Sequence, residues 1–144
     1  MTLLIRTARS DDVPVLVEIE QQSFSRPHWD PDSFLKHDCL VAEVEGRIAG
    51  FLVSREIFPA VRGQPPEREI LNVAVATVYR RLGVATALLE RELSRNATYY
   101  LEVRESNAAA QQLYSRLGFI RIGLRPKYYE FPSEAAIVMQ MKRC

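Results

Sequence analysis

Several things are scarce in this chain, and each scarcity excludes a class of function. Only two of the 144 residues are cysteine, Cys39 and Cys144. They lie far apart and match no ligand spacing, so neither a disulfide framework nor a cysteine metal site organises the fold, and a reducing compartment is expected. The two histidines, His28 and His37, stand alone without metal spacing, and no metal is expected. Charge of one sign is not in surplus: 19 basic side chains face 18 acidic ones, for a net charge of +1. The clustered basic excess of a nucleic-acid-binding face is therefore missing. No stretch approaches the roughly 20 apolar residues of a membrane helix. The opening MTLLIRTARSDD carries no apolar run followed by a cleavage site. These features predict a cytoplasmic chain with no nucleic acid and no membrane among its partners. Repeats, linkers and low-complexity tracts are missing too, and the length suits one domain over residues 1–144.

What is present reads as alternating strands and helices. Leu3 to Thr7 is β-prone. Ser10 and Asp11 can cap a helix through Gln22, with Pro14 in its first turn. A short helix from Pro31 to His37 has Asp30 as its cap. Leu40 to Val44 and Ile48 to Ile57 read as a hairpin turning at Gly46. Phe58 to Arg68 holds three prolines and a glycine and reads as a loop. Glu69 to Ala76 is a buried strand. Arg81 to Arg95 is a helix turning Leu82, Ala85, Leu88, Leu89 and Leu93 inward. Thr98 to Arg104 is a strand, and Ser106 caps a helix from Asn107 to Leu117 that Gly118 ends. Phe119 to Leu124 and Ala135 to Met141 are the last strands. The unit from Glu69 to Arg104 is a βαβ crossover, which demands parallel pairing. The fold class is α/β, or α+β on a stricter definition. Its sheet is mixed and mostly antiparallel, with helices on both faces.

The stretch VYRRLGVATALLE, Val78 to Glu90, follows a strand and opens a helix. A helix start leaves backbone N–H groups unpaired and carries positive dipole charge, so it suits a phosphate. Gly83 and Ala85 remove bulk there, and Arg80 and Arg81 add charge. A helix start with a chance small residue and solvated arginines fits the same letters. Only one glycine is present, so neither a Walker loop nor GxGxxG is matched.

Arg80-x-x-Gly83-x-Ala85 after ILNVAV resembles the acetyl-coenzyme A motif Q/R-x-x-G-x-G/A of the GNAT N-acetyltransferase superfamily. LEVRESNAAAQQLYSRLGF, Leu101 to Phe119, is similar to the second half of that fold. With FSRPHWDPDSF and RPKYYEFPSEAAIVM, the chain most resembles the ribosomal-protein-alanine N-acetyltransferases. Three departures stand out. Ala76-Thr77 replaces the usual Asp-Pro, Ala85 replaces the second glycine, and Ala135 stands where an acidic residue is common.

The resemblance implies a GNAT fold and acetyl-coenzyme A (acetyl-CoA) as co-substrate. It implies a protein N-terminus as acceptor, with a ribosomal protein as the partner of this type. Arg80, Arg81, Leu82, Gly83, Val84, Ala85 and Thr86 would cradle the pyrophosphate. Val73, Ala74 and Val75 would offer backbone groups to the pantetheine arm and thioester, provided the fourth and fifth strands splay. Asn107 would hydrogen-bond the cofactor. Glu102 would be the general base and Tyr114 the acid. Trp29, Tyr128 and Tyr129, with the loop from Phe58 to Arg68, would wall the acceptor groove. Read from the residues alone, position favours Glu102 as a strand glutamate paired with Arg104 or another cation, and Tyr114 as a packed helical tyrosine. Acetylation of a small amine or of lysine, and acetyl-CoA sensing without catalysis, stay open as alternatives. The oligomeric state is not legible.

Overall fold

The structure is a computed structural model that describes residues 2–23, 30–129 and 133–143. The chain forms two compact units, Met1–Arg55 with Ile70–Glu92, and Glu56–Glu69 with Leu93–Cys144.

In the first unit, β1 (Leu3–Thr7) pairs antiparallel with β2 (Asp38–Val44), from Leu3↔Val44 to Thr7↔Leu40. β2 pairs antiparallel with β3 (Arg47–Phe58), which neighbours β4 (Glu67–Val75). Glu45 and Gly46 join β2 to β3 with φ of 50° and 78°. Positive φ at both central residues marks the tight hairpin turn whose twist matches its strands. Alternation then sorts the side chains. Cys39, Val41, Phe51 and Val53 share one face and bury with Leu16 and Ile19 of α1 (Val13–Ser23) and Phe34 of α2 (Ser33–Lys36). Phe34 meets Phe51 edge to face, with centroids 5.1 Å apart. Ala42 and Leu52 alternate to the opposite face and are fully buried as well. α3 (Val84–Glu92) packs on β1 and β2 and buries Val84, Leu88 and Leu89.

In the second unit, β5 (Ala97–Arg104) runs parallel to β4 over Glu67↔Thr98, Arg68↔Tyr99 and Glu69↔Tyr100. α4 (Ala108–Arg116) follows, then β6 (Ile120–Tyr129) and β7 (Glu134–Arg143). β7 inserts antiparallel between β5 and β6, giving the order β4-β5-β7-β6 with β6 at the edge. The expected mixed, mostly antiparallel sheet with one parallel pair is what forms.

The element ends differ from expectation for local reasons. The third helix starts at Val84 rather than Arg81, because Arg81 and Gly83 have φ of 64° and 80°. No right-handed helix contains such residues. Leu82 is accordingly 46% exposed instead of inward. Ser106 does not cap α4; Asn107 does, its side chain accepting from the Ala110 N–H at 3.1 Å. Ser106 Oγ bonds Glu134 instead. A 3-10 turn (Ser10–Asp12) leads into α1, and Arg9 rather than Ser10 or Asp11 stands at its N-cap, its N–H donating to the Asp12 carboxylate at 2.7 Å. Asp32, not Asp30, flanks α2, though the Asp30 carbonyl accepts from Ser33 N–H. The strands around the Pro-rich loop reach in to Phe58 and back to Glu67.

Candidate active site

The first unit carries the candidate cradle. β3 has a glycine, Gly50, hard against β4: a Cβ there would sit 2.7 Å from the Ala74 carbonyl oxygen. The Ala76 N–H then donates to the Ala49 carbonyl at 2.7 Å, which fixes the end of β4. Val73 and Val75 are half-buried, and Ala74 is buried between them. A 3-10 turn (Thr77–Tyr79) leads to Arg80. The guanidinium of Arg80 is already engaged: Nε donates to the Val75 carbonyl at 3.2 Å and Nη2 to Ser23 Oγ at 3.5 Å. Its role is to tie the turn to the strand end and to α1, not simply to add charge.

Arg81, Leu82 and Gly83 are exposed, and a Cβ on Gly83 would meet nothing within 4 Å. Glycine is required here by its φ of 80°, not by crowding. The first backbone donor bonded into α3 is Ala87 N–H, to the Gly83 carbonyl at 3.0 Å. Among the described residues, the N–H groups of residues 81–86 bond no backbone carbonyl. A left-handed residue, a glycine and a helix start thus present successive donors at an open surface, the arrangement that binds phosphate oxygens.

The second unit carries the candidate catalytic groups. Glu102 lies on β5 opposite Val138. Its carboxylate pairs with Arg125 of β6, Nη1 lying 3.1 Å from Oε1 and 3.3 Å from Oε2. The cation beside Glu102 is therefore Arg125, while Arg104 is held elsewhere. Arg104 donates to Glu134 at 2.9 Å and stacks over the Tyr129 ring at 4.4 Å. Arg125 stacks likewise over Tyr128 at 4.6 Å. Tyr128 and Tyr129 meet edge to face at 5.1 Å. Arg104 and the Ser106 hydroxyl and N–H hold the Glu134 carboxyl below the usual range.

Tyr114 lies on α4 and meets Phe119 edge to face at 5.8 Å. Burial pushes its phenol up to about 12. The Tyr129 phenol is also pushed up to about 12, by burial first and then by the charges of Glu102, Tyr128 and Tyr114, against the opposing pull of Arg104. Asn107 spends its Oδ1 on the helix cap, which leaves its amide N–H groups as donors. Trp29 lies outside the described residues.

Two members of this cluster, Arg125 and Glu134, are not singled out by the sequence. Arg104 was legible, because it shares a face of β5 with Glu102 two residues away. Arg125 was not, because its reach to Glu102 depends on how β6 pairs. Glu134 supplies an acidic side chain one residue before Ala135, the position where its absence had been noted.

Residues 5–119 match the acetyltransferase (GNAT) family. The chain is similar to the [ribosomal protein bS18]-alanine N-acetyltransferase of Escherichia coli, 32% identical over 95% of each chain. It is 31% identical to an N-alpha-acetyltransferase of Sulfurisphaera tokodaii, over 93% of this chain and 90% of the other. The crystal structure of Ard1 from Thermoplasma volcanium superposes with a TM-score of 0.87 and 26% identity, covering 100% of this chain and 99% of that one. The match over residues 5–119 and these likenesses show that the chain belongs to the GNAT acetyltransferase family and is an acetyl-CoA-dependent acetyltransferase.

Proposed function

We propose that the enzyme moves the acetyl group of acetyl-CoA to the N-terminal α-amine of a protein, with an alanine-starting ribosomal protein as the first candidate. The names of the relatives in Escherichia coli and Sulfurisphaera tokodaii point this way. The observation that carries the reading is the Glu102 carboxylate on β5, held by Arg125, which stacks on the Tyr128 ring that in turn meets Tyr129.

The residues present fit the co-substrate. The open N–H groups of Arg81 to Thr86 would take the pyrophosphate, and the backbone of Val73 to Val75 the pantetheine arm. Asn107 would add an amide donor. Bound there, acetyl-CoA supplies an activated acyl carbon with a thiolate leaving group.

Acetyl transfer forms a C–N bond and breaks a C–S bond. The amine must attack in its neutral form, and near pH 7 about one α-amine in ten is neutral, against fewer than about one lysine in a thousand. Glu102 takes the amine proton, directly or through one water. Tyr114 donates a hydrogen bond toward the departing sulfur, and the released thiolate takes its proton from solvent. An α-amine demands only a modest base, and one carboxylate on a strand meets that demand.

Two peptides test the reading. One begins with a free alanine; the other is the same peptide with its N-terminus blocked and a lysine inside. Release of coenzyme A thiol should follow only the first. Equal rates on the two would overturn the α-amine assignment. In Glu102→Gln the deficit should be about a hundredfold near pH 7 and should shrink toward about pH 9, where the free amine is already neutral. A deficit independent of pH would remove Glu102 from the role of base.

A further inference from the structure

The ion pair between Glu102 and Arg125 is the feature of the site that neither the motif nor the proposed chemistry explains. The two residues come from strands that do not touch: β7 lies between β5 and β6. Glu102 pairs with Val138 of β7, and Arg125 with Ala136, so the contact runs diagonally across β7. Two features aim Arg125 along that diagonal. Pro126 follows it, which restricts Arg125 to extended backbone and removes the next N–H. The register then breaks: Arg125↔Ala136 is followed by Tyr129↔Glu134, with four residues on β6 spanning two on β7. Such bulges on an edge strand redirect side chains.

The result is a guanidinium that both stacks on a ring and pairs with a carboxylate. The Arg125 carbon centre lies 4.6 Å from the Tyr128 centroid, and Nη1 straddles both oxygens of Glu102. The Arg125 side chain is 53% exposed and that of Glu102 19%. An exposed pair adds little to stability. Its geometry is nonetheless specific, because one nitrogen fixes the carboxylate from a single direction and leaves the remaining lone pairs to accept from an amine or a water.

We propose that Arg125 is a positioning residue for Glu102. It holds the carboxylate in one orientation so that the acceptor's proton meets it in line, and it acts through Glu102 without touching the reacting atoms. Arg104 does not share the task, being held by Glu134 and stacked on Tyr129. This rests on Glu102 being the base, and the test separates the two ideas.

Arg125→Ala removes the whole side chain. Arg125→Gln keeps a stem over Tyr128 and removes the charge, and it serves if the alanine variant folds poorly. Arg125→Lys restores a cation without the planar fork. Rates are read on any amine that the wild type acetylates, so failure of the alanine peptide overturns the acceptor assignment alone. Misplacing a catalytic group by about 1 Å costs up to about a hundredfold, so loss of one of its supports should lower kcat about tenfold. Acceptor KM and acetyl-CoA affinity should change by less than about twofold, and Arg125→Lys should recover part of the rate. The deciding measurement is the double variant. In a Glu102→Gln background, Arg125→Ala or Arg125→Gln should change kcat by less than about twofold, because the group being oriented is no longer a base. A folded Arg125 variant with wild-type kcat, or the same tenfold loss in both backgrounds, would overturn the proposal.

Discussion

At the scale of the residue, Tyr114 carries a tension that its environment makes quantitative. Burial holds its phenol near 12. It is therefore protonated, and a donor, throughout the neutral range. The leaving thiol has a pKa of about 8.5, so complete transfer from a phenol near 12 would be uphill by about 5 kcal/mol. Tyr114 then acts mainly by hydrogen bonding to charge as it builds on sulfur. Such a contribution falls in the step of bond breaking, not in binding. Tyr114→Phe keeps the ring against Phe119 and removes only the hydroxyl. It should lower kcat by about a hundredfold at most, with acetyl-CoA affinity nearly unchanged. Single-turnover rates with calorimetry separate the two. An unaltered rate with chemistry limiting would leave Tyr114 with a packing role alone.

At the scale of the element, the turn into α3 shows what a sequence can and cannot disclose. The strand–turn–helix order, the small residues at 83 and 85, and the buried Leu88 and Leu89 were all readable from pattern. The register of the helix start was not, because apolar periodicity continues through Leu82 while backbone handedness does not. Asn107 and Ser106 illustrate the same limit, since either can cap, and the choice was decided by Glu134, 28 residues from Ser106 in sequence, engaging the serine. Arg125 lay beyond reach because only the pairing of β6 with β7 points it at Glu102. Gly83 offers the test at this scale. Its φ of 80° makes any side chain strained, while open space around it means that size alone causes no clash. Gly83→Ala and Gly83→Glu should therefore both lose about 1 kcal/mol of stability in urea unfolding. They should part on acetyl-CoA, the glutamate variant losing far more affinity because it sets negative charge among the phosphate donors. Equal affinities in calorimetry would move the cradle away from this turn.

At the scale of the whole molecule, the titrating groups set a window of pH in which the fold holds. On the acid side stands Asp12, 6% exposed in its side chain, which receives Arg6 at 2.8 Å and 2.9 Å and the Arg9 N–H. Arg6 also pairs with Glu43, binding β1 to β2. Arg6 holds the Asp12 carboxyl below its ordinary value, as Arg104 does for Glu134. A lowered carboxyl contributes stability above its unfolded value of about 4 and loses it as pH falls through the folded value. On the alkaline side burial raises Cys39, Tyr114 and Tyr129, each to about 12. A raised acid has the opposite sign. Its contribution is complete below the unfolded value, about 8.5 for the thiol and about 10 for the phenols, and is lost as pH climbs toward the folded one. Stability should thus stay flat between about pH 5 and about pH 8.5, decline below that window, and decline above it in two stages, the thiol before the phenols. Urea unfolding at intervals from about pH 3 to about pH 11 reads the profile. Asp12→Asn should cost about 2 kcal/mol on the plateau and flatten the acid limb, since the neutral amide has no proton to gain. Tyr129→Phe should remove part of the later alkaline stage and leave the acid limb as it is. An acid limb as steep in Asp12→Asn as in the wild type would mean that other carboxylates govern acid unfolding, and that the Arg6–Asp12 pair stabilises the fold without setting its pH limit.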